Sequence, residues 1–371
     1  MNDHEINDVR TSKDFAGVTF SNFKKSEVKK QLLNDLFKGK VENTCYWATE
    51  LICAGHFMDL WELILLYVTK YIHLGNPKLP IYINMRFQNF KQIVELGYAQ
   101  HELPMRNNQK IRKLFNEVLC VLCTSIKKHS YESIRVKEED FIMTNLSEKL
   151  KAPHVHYVDT IFTQGDPKEF FIPLNEFAYC IHHDVKLDVL ACYWIEWILE
   201  FEQFCKKKKD PCICNSRMFP NVQQKFQKDI IWIVWELILH EGRKQNDLIQ
   251  KILQELLDLF CLKFSSGCKK RRKFCLYFAI SLLCEHVNTN IDIFTNKTLI
   301  ESIANNTNVL YKQVKKNEKS PKTDYLFKNI KSKSNLEKTI DKLEILNQTS
   351  FGGGSVPHTP PIMHQPNKDE T

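Results

Sequence analysis

The stretch ENTCYWATELICAGHFMDLWELILLYVTKYIHLGNP, residues 42–77, decides the fold class. Its apolar and aromatic side chains recur at the spacing of one helix face, so Asn43–Gly55 and Asp59–His73 read as a helix pair. Gly55 is a natural left-handed terminator, and Asp59 opens the second helix. Leu74-Gly75-Asn76-Pro77 closes it, with Gly directly after the periodic run and Pro soon after. Working outward, the same period predicts helices at Ser26–Phe37, Arg86–Leu96, Asn108–Lys127 and Glu138–Leu150. It predicts more at Phe170–His183, Leu187–Lys206, Asp229–Glu241, Asn246–Phe264 and Lys273–His286. Alternating runs are few, and no Asn-Gly or Asp-Gly hairpin turn occurs. The fold expected is all-α.

Two signatures recur in the same order. Cys45-Tyr46-Trp47 returns as Cys192-Tyr193-Trp194, and Trp61-Glu62-Leu63-Ile64-Leu65 returns as Trp235-Glu236-Leu237-Ile238-Leu239. Trp and Cys are rare, so the coincidence points to two tandem, duplicated helical units, 26–150 and 170–300. Residues 151–169, with Pro153, Gly165 and Pro167, form a connector. The wider spacing in the second unit places an inserted Cys/Lys loop at 205–220. Residues 1–25 are a polar N-terminal segment from which Phe15, Val18, Phe20 and Phe23 are placed to dock. Residues 301–371 read as a Lys-rich, largely disordered tail. Within it, Asn335–Gln348 carries Leu336, Ile340, Leu343 and Leu346 on one helical face. Tyr46, Trp47, Trp61, Tyr193, Trp194 and Trp235 are expected to fill the helix interfaces. Glu62 and Glu236 sit in apolar turns and are read as facing solvent, because an unpaired buried carboxylate is costly; the alternative is pairing with a buried Arg or Lys.

The 371 residues are 43% hydrophobic and 26% charged, the balance of a chain that buries a core. Lys and Arg number 52 against 44 Asp and Glu, which permits contact with nucleic acid or an acidic partner without demanding it. The polar start MNDHEINDVRTSKDF lacks the apolar core of a signal peptide, and no apolar run is long enough to span a membrane. The 13 Cys include several inside apolar runs, Cys120 and Cys123 among them, so a reducing, non-secretory setting is expected.

Phosphate-cradling glycine loops, H-E-x-x-H, G-x-S-x-G and the kinase motif set are absent from the sequence. A non-enzymatic protein is therefore expected. The sharpest chemical feature is Cys205-Lys-Lys-Lys-Lys-Asp-Pro-Cys212-Ile-Cys214. Three thiols in a polar loop are candidate zinc ligands, because Lys206–Lys209 would favour thiolate. A tetrahedral site needs a fourth ligand, for which His182, His183 or Cys192 are candidates. The alternative is free thiols in a surface loop. His154-Val155-His156 and His182-His183 are the tight histidine groups. The run Lys269-Lys270-Arg271-Arg272-Lys273 and the lysines of 312–333 are candidate phosphate contacts, the alternatives being solvated surface or an import address.

The run over residues 42–83, with RNNQKIRKLFNEVLCVLC and ACYWIEWILEFEQFCKKKK, resembles an uncharacterised family of giant nucleocytoplasmic large DNA viruses of the mimivirus kind, over about residues 10–290. That resemblance implies a host cytoplasm or virus factory, or the virion itself. Separately, Tyr46-Trp47, Gly55 and Leu74–Pro77 are similar in order to the C-terminal helical region of clamp-loader-related recombination ATPases, over residues 45–80. Asn76 stands where that family has Asp, and its ATPase core is missing. This second resemblance implies an oligomerising helical module. The expectation is a helical adaptor or scaffold in a viral replication or transcription complex. The alternatives are a virion structural protein and a zinc- or nucleic-acid-binding accessory factor.

Overall fold

A computed structural model describes residues 3–98, 102–132, 134–319, 339–340 and 342–344. The helices are α1 Lys25–Phe37, α2 Val41–Cys53, α3 Phe57–Tyr67, α4 Leu79–Glu95, α5 Gln109–Thr124, α6 Met143–Leu146 and α7 Phe171–Ile181. They continue as α8 Asp188–Lys207, α9 Ile231–Gly242, α10 Asp247–Phe260, α11 Cys268–Arg271, α12 Lys273–Cys284, α13 Lys297–Asn305 and α14 Thr307–Lys315. Among the described residues the β pairing is confined to one isolated bridge, Val18 to Lys24. The all-α expectation holds. No helix of the described residues is long and apolar enough to cross a membrane.

Helix ends follow local chemistry. Asn108 and Asn246 cap α5 and α10 by accepting from backbone N–H groups of the first turn. Pro80 in the first turn of α4 fits where its missing N–H is not needed. Past Tyr67 the chain does not continue as a regular α-helix to His73 as expected. It loosens into a π-helical turn, Val68–Ile72, and a 3₁₀ turn, His73–Gly75. The loop after α5 lies on this turn, with Lys128 N–H donating to Ile72 O (3.1 Å) and Ser130 N–H to Lys70 O (2.8 Å). Gly75 is needed there, because a Cβ would stand 2.3 Å from the Ile126 carbonyl oxygen.

The hairpins α1–α2 and α7–α8 each place a Cys-Tyr-Trp helix as the second arm. α5 packs on α2, and α12 packs on α8, α9 and α10. The two expected units do not separate, and their duplication is not shown. Residues 3–319 form one compact unit. The reason is direct contact between the halves. α4 lies on α10, the π turn lies on α12, and Asn76 Nδ2 donates to Asp292 O (3.0 Å). Trp194, Trp232 and Trp235 are fully buried in the shared core.

Three further expectations are corrected. The segment 138–150 is not one helix but two 3₁₀ turns flanking α6. Among its described side chains Leu146 is the one deeply buried, so no continuous apolar stripe is seen there to hold a longer helix. In the N-terminal segment Phe15 and Phe20 dock in the core as expected, but Phe23 stays exposed, and Ile6, not among the expected residues, is buried, with Asn107 both donating to and accepting from its backbone (2.9 Å each). The tail assignment fails for 301–319, where α13 packs on α5 and α14 on α2. Tyr311 of α14 is buried beneath the Arg112 guanidinium, 3.7 Å from the ring centre. The residues at 339–340 and 342–344 are helical, with Ile340 and Leu343 exposed; the remainder of the Asn335–Gln348 face lies outside the described residues.

Candidate functional site

The Cys/Lys loop does not gather its thiols. Cys205 ends up on the last turn of α8 and meets Cys212, both half-buried. Burial and the adjacent Cys205 thiol push the Cys212 pKa up. Cys214 points into the core, its N–H donating to Lys228 O (3.1 Å), and burial beside Asp166 pushes its thiol up to about 12. Lysines that were to favour thiolate are used elsewhere. Lys206 pairs with Glu202 (2.7 Å), and Lys208 lies over the Phe204 ring (4.1 Å). Among the described residues, Cys205, Cys212 and Cys214 do not converge into a metal-ligand group, alone or with His182, His183 or Cys192. Instead the loop is stapled to the connector. Arg217 grips Asp166 with two nitrogens (2.9 and 2.7 Å) and Glu236 with a third (2.6 Å).

Most of the basic run is engaged by carboxylates of the fold, with Lys270 and Arg271 exposed. Lys269 is fully buried between Glu202 and Asp229. Lys273 pairs with Glu196 (2.7 Å) and Lys270 with Glu200 (2.7 Å), so α11 and the start of α12 are fastened to α8. Arg272 joins Glu62 of the first half and donates to Phe260 O (2.7 Å). Arg271 is exposed and donates to Gly267 O. Phosphate would have to compete with carboxylates already in place. Glu62 and Glu236 thus keep partial exposure and also pair with a buried Arg each, so both expected readings hold in part. Of the lysines at 312–333, Lys315 donates to Glu5 O (2.6 Å), and those beyond 319 lie outside the described residues.

The aromatic signatures divide. Trp61, Tyr193, Trp194 and Trp235 are core residues as expected, Trp61 against Phe87, Phe90 and Phe115. Tyr46 and Trp47 are not fully buried. They face a groove of about 650 Å³ between α1–α2 and α13–α14. No core helix covers them, because the C-terminal helices leave a gap at this point. Trp47 Nε1 donates to the buried Asp35 carboxylate (3.1 Å), and Phe23 packs edge-on against the indole (5.7 Å). Glu42 stands exposed at the rim, and Leu299, Ile303, Val309 and Leu310 form the opposite wall. Exposed rings beside carboxylates are suited to hold an apolar anchor flanked by cations. Sequence reasoning placed both rings in the core. Their partial exposure depends on α13 and α14, which composition had assigned to the tail.

No protein-family model matches the sequence, no curated protein matches it, and no solved structure matches the fold.

Proposed function

We propose that the protein is a non-enzymatic helical adaptor that holds a segment of another protein in the groove beside Tyr46 and Trp47. The observation that carries this reading is the half-exposed ring pair, flanked by Asp35 and Glu42 and faced by an aliphatic wall. The partner is a polypeptide segment with an apolar anchor and neighbouring Lys or Arg. Rings supply contact area at low entropic cost, and the exposed Glu42 carboxylate at the rim selects the charge. The viral setting, a replication or transcription complex of a large DNA virus, rests on the resemblance over residues 10–290 alone.

The test is affinity capture of the tagged full chain from producing cells after nuclease treatment, beside the double variant Glu42→Arg, Val309→Glu. Both positions are exposed, so the variant keeps its fold. The expected result is a replication or transcription protein retained by the wild type and lost from the variant. Equal capture by both forms, or capsid and core proteins alone, overturns the reading.

A further inference from the structure

Two histidine groups that are far apart in sequence share one face of the molecule. The connector is tied to α7, with Asn175 Nδ2 donating to His154 O (2.9 Å) and the Tyr157 N–H donating to Asn175 Oδ1 (3.0 Å). That lays His154 flat on the Tyr157 ring (4.5 Å, 4° between planes). The Tyr157 ring meets His182 edge-on (5.7 Å), and His182 lies 4.2 Å from the His183 ring. His182, His183 and Asp184 form the turn that ends α7. Their donor atoms lie within 4.8 Å of one another, the one such group of three among the described residues. Asp184 Oδ2 is 3.7 Å from His182 Nδ1 and 3.1 Å from His183 Nε2.

Those separations have the size a metal would set. Zinc binds imidazole nitrogen and carboxylate oxygen at about 2.0–2.2 Å, so tetrahedral ligands stand about 3.4 Å apart. The two measured values bracket that figure. The far side of His183 is also fixed. Its backbone N–H donates to Glu241 Oε1 (2.8 Å), and its Nδ1 lies 3.1 Å from the same oxygen. Glu241 is buried, with a side chain 6% exposed, and Lys244 neutralises its other oxygen (2.8 Å). Lys244 Nζ also lies 3.4 Å from Nδ1; in the tautomer that donates Nδ1–H to Glu241, the Nε2 lone pair points away, toward Asp184. Metal-binding histidines are typically oriented by such a carboxylate.

We propose that His182, His183 and Asp184 form a binding site for one divalent first-row transition cation, zinc foremost, with Glu241 as the group that orients His183. Two imidazoles and one carboxylate leave a fourth position open to water or to a partner's side chain. The site is separate from the Cys205–Cys214 loop and from the groove at Tyr46 and Trp47, and it stands whether or not the groove binds a partner.

The experiment titrates chelator-stripped full-length protein with Zn²⁺ against a chromophoric chelator, then with Co²⁺ for its visible spectrum. Expected are one Zn²⁺ per chain and a Co²⁺ spectrum without thiolate charge transfer. Affinity falls at least about tenfold in His183→Ala and in His182→Ala, and about 10–100-fold in Glu241→Gln. It is unchanged in Cys212→Ser. Both histidines are partly exposed, so their variants fold, which circular dichroism checks. No binding below millimolar Zn²⁺, equal binding in both histidine variants, or a thiolate band lost in Cys212→Ser overturns the proposal.

Discussion

His73 sits at φ 49°, a left-handed conformation uncommon for a non-glycine residue, directly after the π turn. Its ring is buried against Phe278 (4.7 Å) and approaches Tyr131. Burial holds its pKa down to about 4, although Glu285 pulls the other way and Lys128 adds to the lowering. The ring is therefore buried neutral, and the unfolded chain binds more protons than the folded one between about pH 4 and 6.5. Stability is full above the unfolded value and falls as the pH drops through that window, by roughly 3 kcal/mol for this residue. Urea midpoints measured from pH 7 to pH 4 should fall for the wild type and fall less steeply for His73→Gln. Burial lowers His56, and likewise His182, so the slope is reduced and not abolished. A slope unchanged in the variant would assign the acid sensitivity elsewhere.

At the scale of single elements, helices were legible wherever a regular apolar stripe meets a recognisable start or stop. α2, α5 and α10 are of this kind, and the expected starts at Asn108 and Asn246 coincide with the caps of the last two. α13 and α14 were not, because Lys and Asn dilute their apolar residues and what holds them is distant. Tyr311 needs Arg112, and Asn116 Nδ2 needs Thr307 Oγ1 (3.0 Å). Arg112 is itself buried and bonds carbonyl and amide oxygens of Arg106, His4 and Asn107. Tyr311 covers it in place of a carboxylate. Tyr311→Ala is expected to destabilise by about 3–5 kcal/mol, through lost packing and a less well covered guanidinium. Chemical denaturation would show it as a lower midpoint at unchanged slope. An effect under about 1 kcal/mol would mean that α14 is not integral to the core.

For the molecule as a whole, the contact between the halves governs behaviour. Two independent units would melt separately. With α4 on α10, and Glu62 of α3 paired to Arg272 beside α12, residues 3–319 should unfold in one step. Calorimetry should give equal van't Hoff and calorimetric enthalpies; two resolved transitions would restore the tandem-unit picture. This scale also explains why the candidate sites were poorly legible. The thiol and lysine runs stood out because they are contiguous, yet the fold assigns Lys269 to Glu202 and Asp229 and separates Cys214 from Cys212. The histidine groups were visible as pairs, but Glu241 is 58 residues from His183, and only the packing of α9 beside α7 joins them.

The N-terminal segment closes on the far end of the same unit: Val9 N–H donates to Lys319 O (3.2 Å), and Lys319 N–H donates to Asp8 Oδ2 (2.8 Å). On the ribosome this contact has a timetable. At about 5–20 residues per second, the roughly 300 residues between the two ends take about 15–60 s to emerge. During that interval Asp8, Val9 and Arg10 are already outside the exit tunnel while their partners Asn317 and Lys319 are not yet made. The unit therefore completes its fold as a late, whole-chain event, and a nascent chain stalled before α14 displays the unclasped N-terminal segment to chaperones and proteases.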